Sequence, residues 1–312
     1  MMKKNVRASI DIGSNSVLLL IAEVHGGKLT ELVRRSEITQ LGKELDKNKS
    51  FHPESMQATF EALKSYAQDC VSHGVALSDV IVTATEASRV AANAPALFQR
   101  ISEDIGLEVQ IITPEGEAYY STRGILYDSK FQNEVITVMD IGGASTELIR
   151  VNTRNFQILK TISTPVGAVR ATQWLKEGVF VQGLQKIFLD YRTEIDEFQT
   201  RELFCVAGTM TSLGNMHLQR KEFVEDDLNG LVLKSDDVDA LFKKYAHCSP
   251  EAFLDEFPFL QKRSQNIVGG LHVAYHFIHR LLAREITIST YGLRYGTILE
   301  GKIKKEHLWK AV

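Results

Sequence analysis

The stretch ASIDIGSNSVLLLIAE, residues 8–23, narrows the possible folds more than any other part of the chain. Its first apolar run is interrupted by a carboxylate, Asp11, and a glycine follows two residues later. A strand that buries its side chains does not take an ionised Asp without giving it a partner. The chain nevertheless does this twice, the second time in VMDIGGASTELIRV, residues 138–151. With Asp11 set on Asp140, Ile12 meets Ile141, Gly13 meets Gly142, Ser16 meets Ser145, and a strand-like run resumes in both. Two such turns in one register point to an internally repeated architecture.

The surrounding pattern supports a repeat. Val6–Ile12, Ser16–Val24 and Lys28–Ile38 read as three strands, the last two joined by Gly26-Gly27. A helix from Pro53, a strand at Val80–Ala84, a helix near Pro95, a strand at Leu107–Ile112 and a helix from Pro114 follow. The second half repeats three strands at Val135–Ile141, Ser145–Val151 and Phe156–Ser163. Helices follow near 167–177 and 181–199, then a strand at Phe204–Ala207 running into a helix at Gly208-Thr209. A helical region follows over 235–283, then a strand at Ile286–Ser289. A basic terminal helix is expected from Leu293 through Ile303 to Trp309. The 312 residues suffice for two domains with cores of their own. The expectation is an α/β protein of two similar domains, each a mixed sheet with helices, facing each other across a cleft. The boundaries expected are 1–124 and 125–312, with the terminal helix able to pack back on the first domain.

Composition excludes several classes. With 44% hydrophobic and 24% charged residues and a net charge of −3, the composition does not point to general affinity for nucleic acid or for anionic membranes, and it leaves room for a local basic groove. The longest apolar run, Val17–Ala22, is far too short to span a bilayer. Cys70, Cys205 and Cys248 are scattered and odd in number, so neither a disulfide framework nor a zinc pattern follows. The expected place is the cytoplasm.

A tight glycine-bearing hairpin lines up backbone N–H groups into a concavity suited to phosphate. Gly13, Ser14, Asn15 and Ser16, and then Gly142, Gly143, Ala144 and Ser145, are the residues that would form it. Asp11 and Asp140 stand just before these loops and only accept hydrogen bonds, so a cation is the expected partner. Magnesium takes oxygen ligands, keeps waters and bridges to phosphates. The copies differ at one position: Glu147 stands where the first has Leu18. Elsewhere, His272, His276 and His279 fall on one helix, where Val273, Phe277 and Leu281 suggest packing rather than metal binding. Lys302, Lys304, Lys305 and Lys310 read as a solvated helix end, with a phosphate path or a homodimer seam as the alternatives.

These residues resemble the two phosphate loops of the exopolyphosphatase and guanosine-pentaphosphate phosphohydrolase family. ATEASRVAAN (84–93), with Arg89 and Asn93, and ITPEGEAYYSTRGI (112–125), with Glu115 and Glu117, are similar to two further family segments. TPVGAVR (164–170), VAGTMTSL (206–213) with Gly208 and Thr209, KRSQNIVGG (262–270) with Arg263, and GLRYGTILEG (292–301) complete the likeness. The resemblance implies two actin-like, ribonuclease H-like domains and the short, two-domain form of the family. It implies release of terminal phosphate from inorganic polyphosphate or guanosine pentaphosphate. Glu117 would then orient the attacking water, Asp11, Asp140 and Glu147 would hold Mg2+ or Mn2+, and Glu147 would also take part in catalysis. Arg89, Gly208, Thr209 and the two loops would hold phosphate.

The chain departs from the family at Leu18, Gln40, Tyr119, Ala144 and Tyr295. The first two remove cationic contacts, each worth about 1.5–3 kcal/mol when made to a charged ligand. Ala144 replaces a glycine and would cost about 1 kcal/mol if its φ were positive. Two rival readings follow. One is a catalytically weak binding protein for polyphosphate or an alarmone. The other is an actin-like kinase for a small molecule.

Overall fold

The computed structural model describes residues 5–128 and 131–310. The chain divides into two compact units, Met1–Tyr127 with Leu293–Val312, and Asp128–Gly292. In the first, β1 (Val6–Ile12), β2 (Ser16–His25) and β3 (Lys28–Ile38) form an antiparallel meander. The short α1 (Leu45–Asn48) and the long α2 (Pro53–Ser72) follow, then β4 (Ile81–Ala84), α3 (Glu86–Val90), α4 (Ala94–Ile105), β5 (Val109–Ile111) and α5 (Pro114–Asp128). β4 runs parallel to β1 and β5 parallel to β4, so the sheet order is β3-β2-β1-β4-β5.

The apolar stripe of α2, which includes Phe60, Leu63, Tyr66 and Cys70, covers one sheet face against Ile10, Val17, Leu19 and Ile21, and α4 adds Leu97 and Ile101. Each such aliphatic side chain contributes about 1.5–3 kcal/mol on full burial. A smaller cluster of Ile81, Ile112, Tyr120, Leu293 and Ile303 draws in the end of the chain.

The second unit repeats the plan. β6 (Val135–Ile141), β7 (Thr146–Asn152) and β8 (Gln157–Thr164) form the meander. Next come α6 (Ala168–Glu177), α7 (Phe180–Asp190), α8 (Arg192–Asp196), β9 (Glu202–Val206) and α9 (Ala207–His217). β10 (Val232–Lys234), α10 (Ser235–Tyr245), α11 (Pro250–Glu256), α12 (Ser264–Arg280) and β11 (Glu285–Ile288) close it. The sheet order is β10-β11-β9-β6-β7-β8. Read from β8, it matches the first sheet strand for strand, with β10 added at the far edge. This is the α/β, actin-like arrangement that the resemblance implied. The core joins Met139, Ile141 and Leu148 of the sheet to Met210 and Leu213 of α9 and Ile267, Leu271 and Ile278 of α12. His272 packs in the same unit, its ring 5.1 Å from that of Phe180 and 4.8 Å from that of Phe242.

The final helix, α13 (Leu293–Glu300), belongs to the first unit and lies on β1 and β2. Here the expected terminal helix is corrected, because it ends nine residues early. Gly301 takes a left-handed φ of 75°, and beyond it the backbone is captured by α5 and β5. Lys304 N–H donates to Tyr120 Oη at 2.8 Å and Trp309 N–H to Ile111 O at 2.8 Å. The lysines therefore do not share one helix face. The helix expected over 181–199 also breaks, at Tyr191, and β10 was not foreseen. Among the described residues no helix is long and apolar enough to cross a membrane.

Candidate active site

The two Asp-Ile-Gly turns have the same local geometry. In the first, Gly13 N–H donates to Ser16 O at 3.0 Å; in the second, Gly142 N–H donates to Ser145 O at 3.0 Å. Asp11 pairs across its ladder with Leu18, and Asp140 pairs with Glu147. The sequence alignment of the two loops is thus a structural equivalence, and Leu18 and Glu147 occupy the same place.

Each loop has its carbonyls occupied from one side. Asn15 O accepts from Thr39 N–H (3.1 Å) and Gln40 N–H (3.0 Å), and Ser14 O accepts from Gly42 N–H at 2.6 Å. In the second unit Gly142 O accepts from Ala168 N–H at 2.9 Å and Gly143 O from Val169 N–H at 2.8 Å. Arg170 Nη1 donates to Ala144 O at 2.5 Å. A trans peptide holds its N–H opposite its C=O. The N–H groups of Gly143, Ala144 and Ser145 are therefore directed away from α6, as a nest for an anion requires. The contact is close enough to need glycine on the helix side: a Cβ on Gly167 would lie 2.6 Å from Gly142 O and 2.7 Å from Gly143 O.

Ala144 is buried and its φ is not positive, so the strain anticipated for it is absent. Strain sits instead at Ala207, with φ 69°, where β9 enters α9. The left-handed region costs a non-glycine residue about 1–2 kcal/mol.

The carboxylates sit in distinct settings. Asp11 is half-buried, and its Oδ1 has no hydrogen-bond partner among the described residues. Burial pushes its pKa up to about 6, against the pull of the Arg294 guanidinium. Arg294 also donates to Leu19 O on β2 at 2.8 Å. Glu147 is buried at 2% exposure and accepts from Ser163 Oγ at 2.6 Å. Asp140 is half-buried opposite it. Cross-strand partners share one sheet face, so Asp140 and Glu147 offer an oxygen-only donor pair. Among the described residues no three His, Cys, Asp or Glu come together as a closed metal cage. Magnesium does not need one, since it binds through one or two carboxylates and keeps its waters. The donor pair fits that ion.

Glu117 lies in the first turn of α5 and its N–H donates to Thr113 O at 2.9 Å. Arg89, at the end of α3, reaches it with Nη2 3.3 Å from Glu117 Oε2, and donates through Nη1 to Ile112 O at 2.6 Å. The two side chains are only 6% and 14% exposed. Arg89, singled out as a phosphate contact, thus also holds Glu117. Gly208 and Thr209 open α9 directly beyond β9, the parallel neighbour of β6, in register with Asp140 through Val206. Arg263 Nη1 donates to Gly208 O and Ser212 Oγ, both at 3.0 Å.

Ser163, Arg170 and Arg294 were given no role on sequence grounds. Arg170 and Arg294 lie in segments that carried the family likeness, which was a usable signal; Ser163 has none, because its pairing with Glu147 across β8 and β7 is a matter of register.

Three comparisons bear on this site. The family model described as the Ppx/GppA phosphatase family matches residues 20–305. The chain is 27% identical over 329 aligned residues to the bifunctional 3-dehydroquinate synthase/phosphatase of Fusobacterium nucleatum, covering 95% of this chain and 46% of that protein. It is 31% identical over 175 residues to exopolyphosphatase 2 of Mycobacterium tuberculosis, covering 53% of each. The chain therefore spans about half the length of these curated relatives. Its fold matches that of the Aquifex aeolicus PPX-GPPA enzyme with a TM-score of 0.77 at 25% identity, over 96% of this chain and 100% of that one. Paired Asp-Ile-Gly hairpins, the buried Arg89–Glu117 contact and a family match over most of the chain lead to one assignment: the chain belongs to the Ppx/GppA phosphatase family.

Proposed function

We propose that this chain is a metal-dependent phosphoanhydride hydrolase that releases the terminal phosphate of inorganic polyphosphate or of guanosine pentaphosphate. The observation that carries the reading is the doubled hairpin, identical in its closing hydrogen bond, with a second carboxylate, Glu147, in one copy only. Phosphoryl transfer asks little covalent help of a protein; it needs positioning and neutralised charge. The N–H groups of Gly13 and Gly142 close their own turns, so the backbone N–H groups of Ser14–Ser16 and Gly143–Ser145 bind phosphate oxygens, with Gly208 and Thr209 assisting. In the second unit Asp140 and Glu147 would hold Mg2+ or Mn2+, which would neutralise charge on a phosphate chain, and Asp11 would offer such an ion a carboxylate in the first unit. Glu117 accepts a proton from the attacking water and aims it, while Arg89 fixes the direction of its carboxylate. The free thiols of Cys70, Cys205 and Cys248 suit a reducing compartment, the cytoplasm.

The test measures phosphate release from polyphosphates of defined length, guanosine pentaphosphate and ATP, each with Mg2+ and with a chelator. Release that requires the metal is expected. Glu117→Gln should lower it by about 10²-fold or more while leaving substrate binding intact. Tight binding with no release from any substrate would instead support the binding-protein reading, and release that depends on a small-molecule acceptor would support the kinase.

A further inference from the structure

The contact that holds Glu117 is itself braced by the last described stretch of the chain. Residues 304–309 run against the β5–α5 junction of the same unit. Trp309 N–H donates to Ile111 O at 2.8 Å, Ile112 and Leu308 form an antiparallel bridge, and Thr113 N–H donates to His307 O at 2.8 Å. Three consecutive residues ahead of α5 are thus fixed by the same segment. Contact continues into the helix, where a Cβ on Gly116 would lie 2.8 Å from His307 Cβ and 3.1 Å from its carbonyl oxygen. The His307 ring sits 4.8 Å from that of Tyr119 and 5.4 Å from that of Tyr120. Lys304 Nζ donates to Tyr119 Oη at 2.6 Å.

Trp309 stands apart from the rest of this brace. Its side chain remains 40% exposed, so it adds little to the core. Its indole face lies 5.9 Å from the Arg89 guanidinium, which is nearly buried. Arg89 is therefore held by the Ile112 carbonyl, the Glu117 carboxylate and the Trp309 ring. A cation over an indole within about 6 Å of the ring centre is attracted by the ring quadrupole, and that attraction biases the guanidinium toward the side on which it meets Glu117.

We infer that the Lys304–Trp309 stretch, and Trp309 above all, positions Glu117 by acting on Arg89 and on the first turn of α5. Trp309 touches no reacting group, so it is a positioning residue. The inference rests on Glu117 being the water-aiming base. A misplacement of about 1 Å at such a group costs on the order of 10²-fold in rate, and loss of one of three holds should cost part of that.

Steady-state kinetics of phosphate release tests this, with the whole protein and the best substrate found above. Trp309→Ala should lower kcat about tenfold with KM nearly unchanged, and Trp309→Phe should recover most of the loss. Gly116→Ala, which forces His307 off the helix, should give the same signature, and the double variant should fall no further than the worse single one. Thermal unfolding of each variant separates misfolding from misplacement. If Glu117→Gln keeps full turnover, Glu117 is not the base and the inference falls with that reading. If Glu117→Gln is inactive but Trp309→Ala turns over like the unaltered protein, only the positioning role is overturned. That role is equally overturned if Trp309→Ala changes KM and kcat together, or if Trp309→Phe gives no recovery.

Discussion

Asp11 shows what one carboxylate costs a fold. Burial raises its pKa from 3.8 to about 6, so the folded state holds that proton more tightly than the unfolded chain does. Stability is then greatest below the unfolded value and declines as pH climbs through the window from about 4 to 6. Asp11→Asn removes this dependence. It should raise the unfolding free energy near pH 7 by on the order of 2 kcal/mol and change it little near pH 3.5, as read from urea titrations at both pH values. The same variant should lose metal-dependent phosphate release, since a residue that weakens the fold is kept where chemistry needs it. The unusual character of Asp11 was legible in the sequence, because a charge inside an apolar strand is conspicuous. Its raised pKa was not, because desolvation depends on what else is packed around it, including Arg294 from the far end of the chain. The departures read otherwise in the structure too. Tyr295 is buried, donates to Glu31 Oε1 at 2.7 Å and accepts from Arg34 at 3.0 Å, so it ties α13 to β3. Tyr119 joins Lys304 and Glu300.

Among elements, the strands were the easiest to foresee. The meanders β1–β3 and β6–β8 were placed within a residue or two, since alternation and glycine turns are local signals. Helix ends were harder. The expected terminal helix overran because its stop is set by Gly301 together with hydrogen bonds to α5 and β5, which lie some 180 residues earlier in the chain. The clasp of α6 on the second loop was likewise invisible in the sequence, although TPVGAVR carried it. Gly167→Ala should drive a methyl against two backbone carbonyls that cannot rotate away. A loss of about 1–3 kcal/mol is expected, measured by denaturant titration, with weakened substrate binding as the loop is displaced.

For the molecule as a whole, the first unit is discontinuous and the second is not. α13 supplies buried Leu293, Tyr295 and Ile298 to the first unit. It is tied there by the Ser9 Oγ to Thr297 Oγ1 hydrogen bond at 2.6 Å and by Arg7 Nη1 donating to Ile298 O at 2.6 Å. A fragment of residues 128–292 should therefore fold and unfold cooperatively by itself, whereas residues 1–127 alone should not, having lost that cover. Circular dichroism with urea titration of the two fragments checks this. Restoring cooperativity to 1–127 by adding a peptide of residues 293–312 would strengthen the case.

Taken alone, the sequence determined the α/β class, the duplication, the two carboxylate-bearing turns and the family likeness of Glu117 and Arg89. All of these are written in short-range periodicity or in motifs a few residues long. Only the tertiary structure decided that Arg89 grips Glu117, that Ser163 serves Glu147, that α6 turns the second loop's carbonyls to one side, and that residues 304–309 brace α5. Each of these joins segments distant in the chain, and such contacts follow from packing and strand register, which no local pattern encodes.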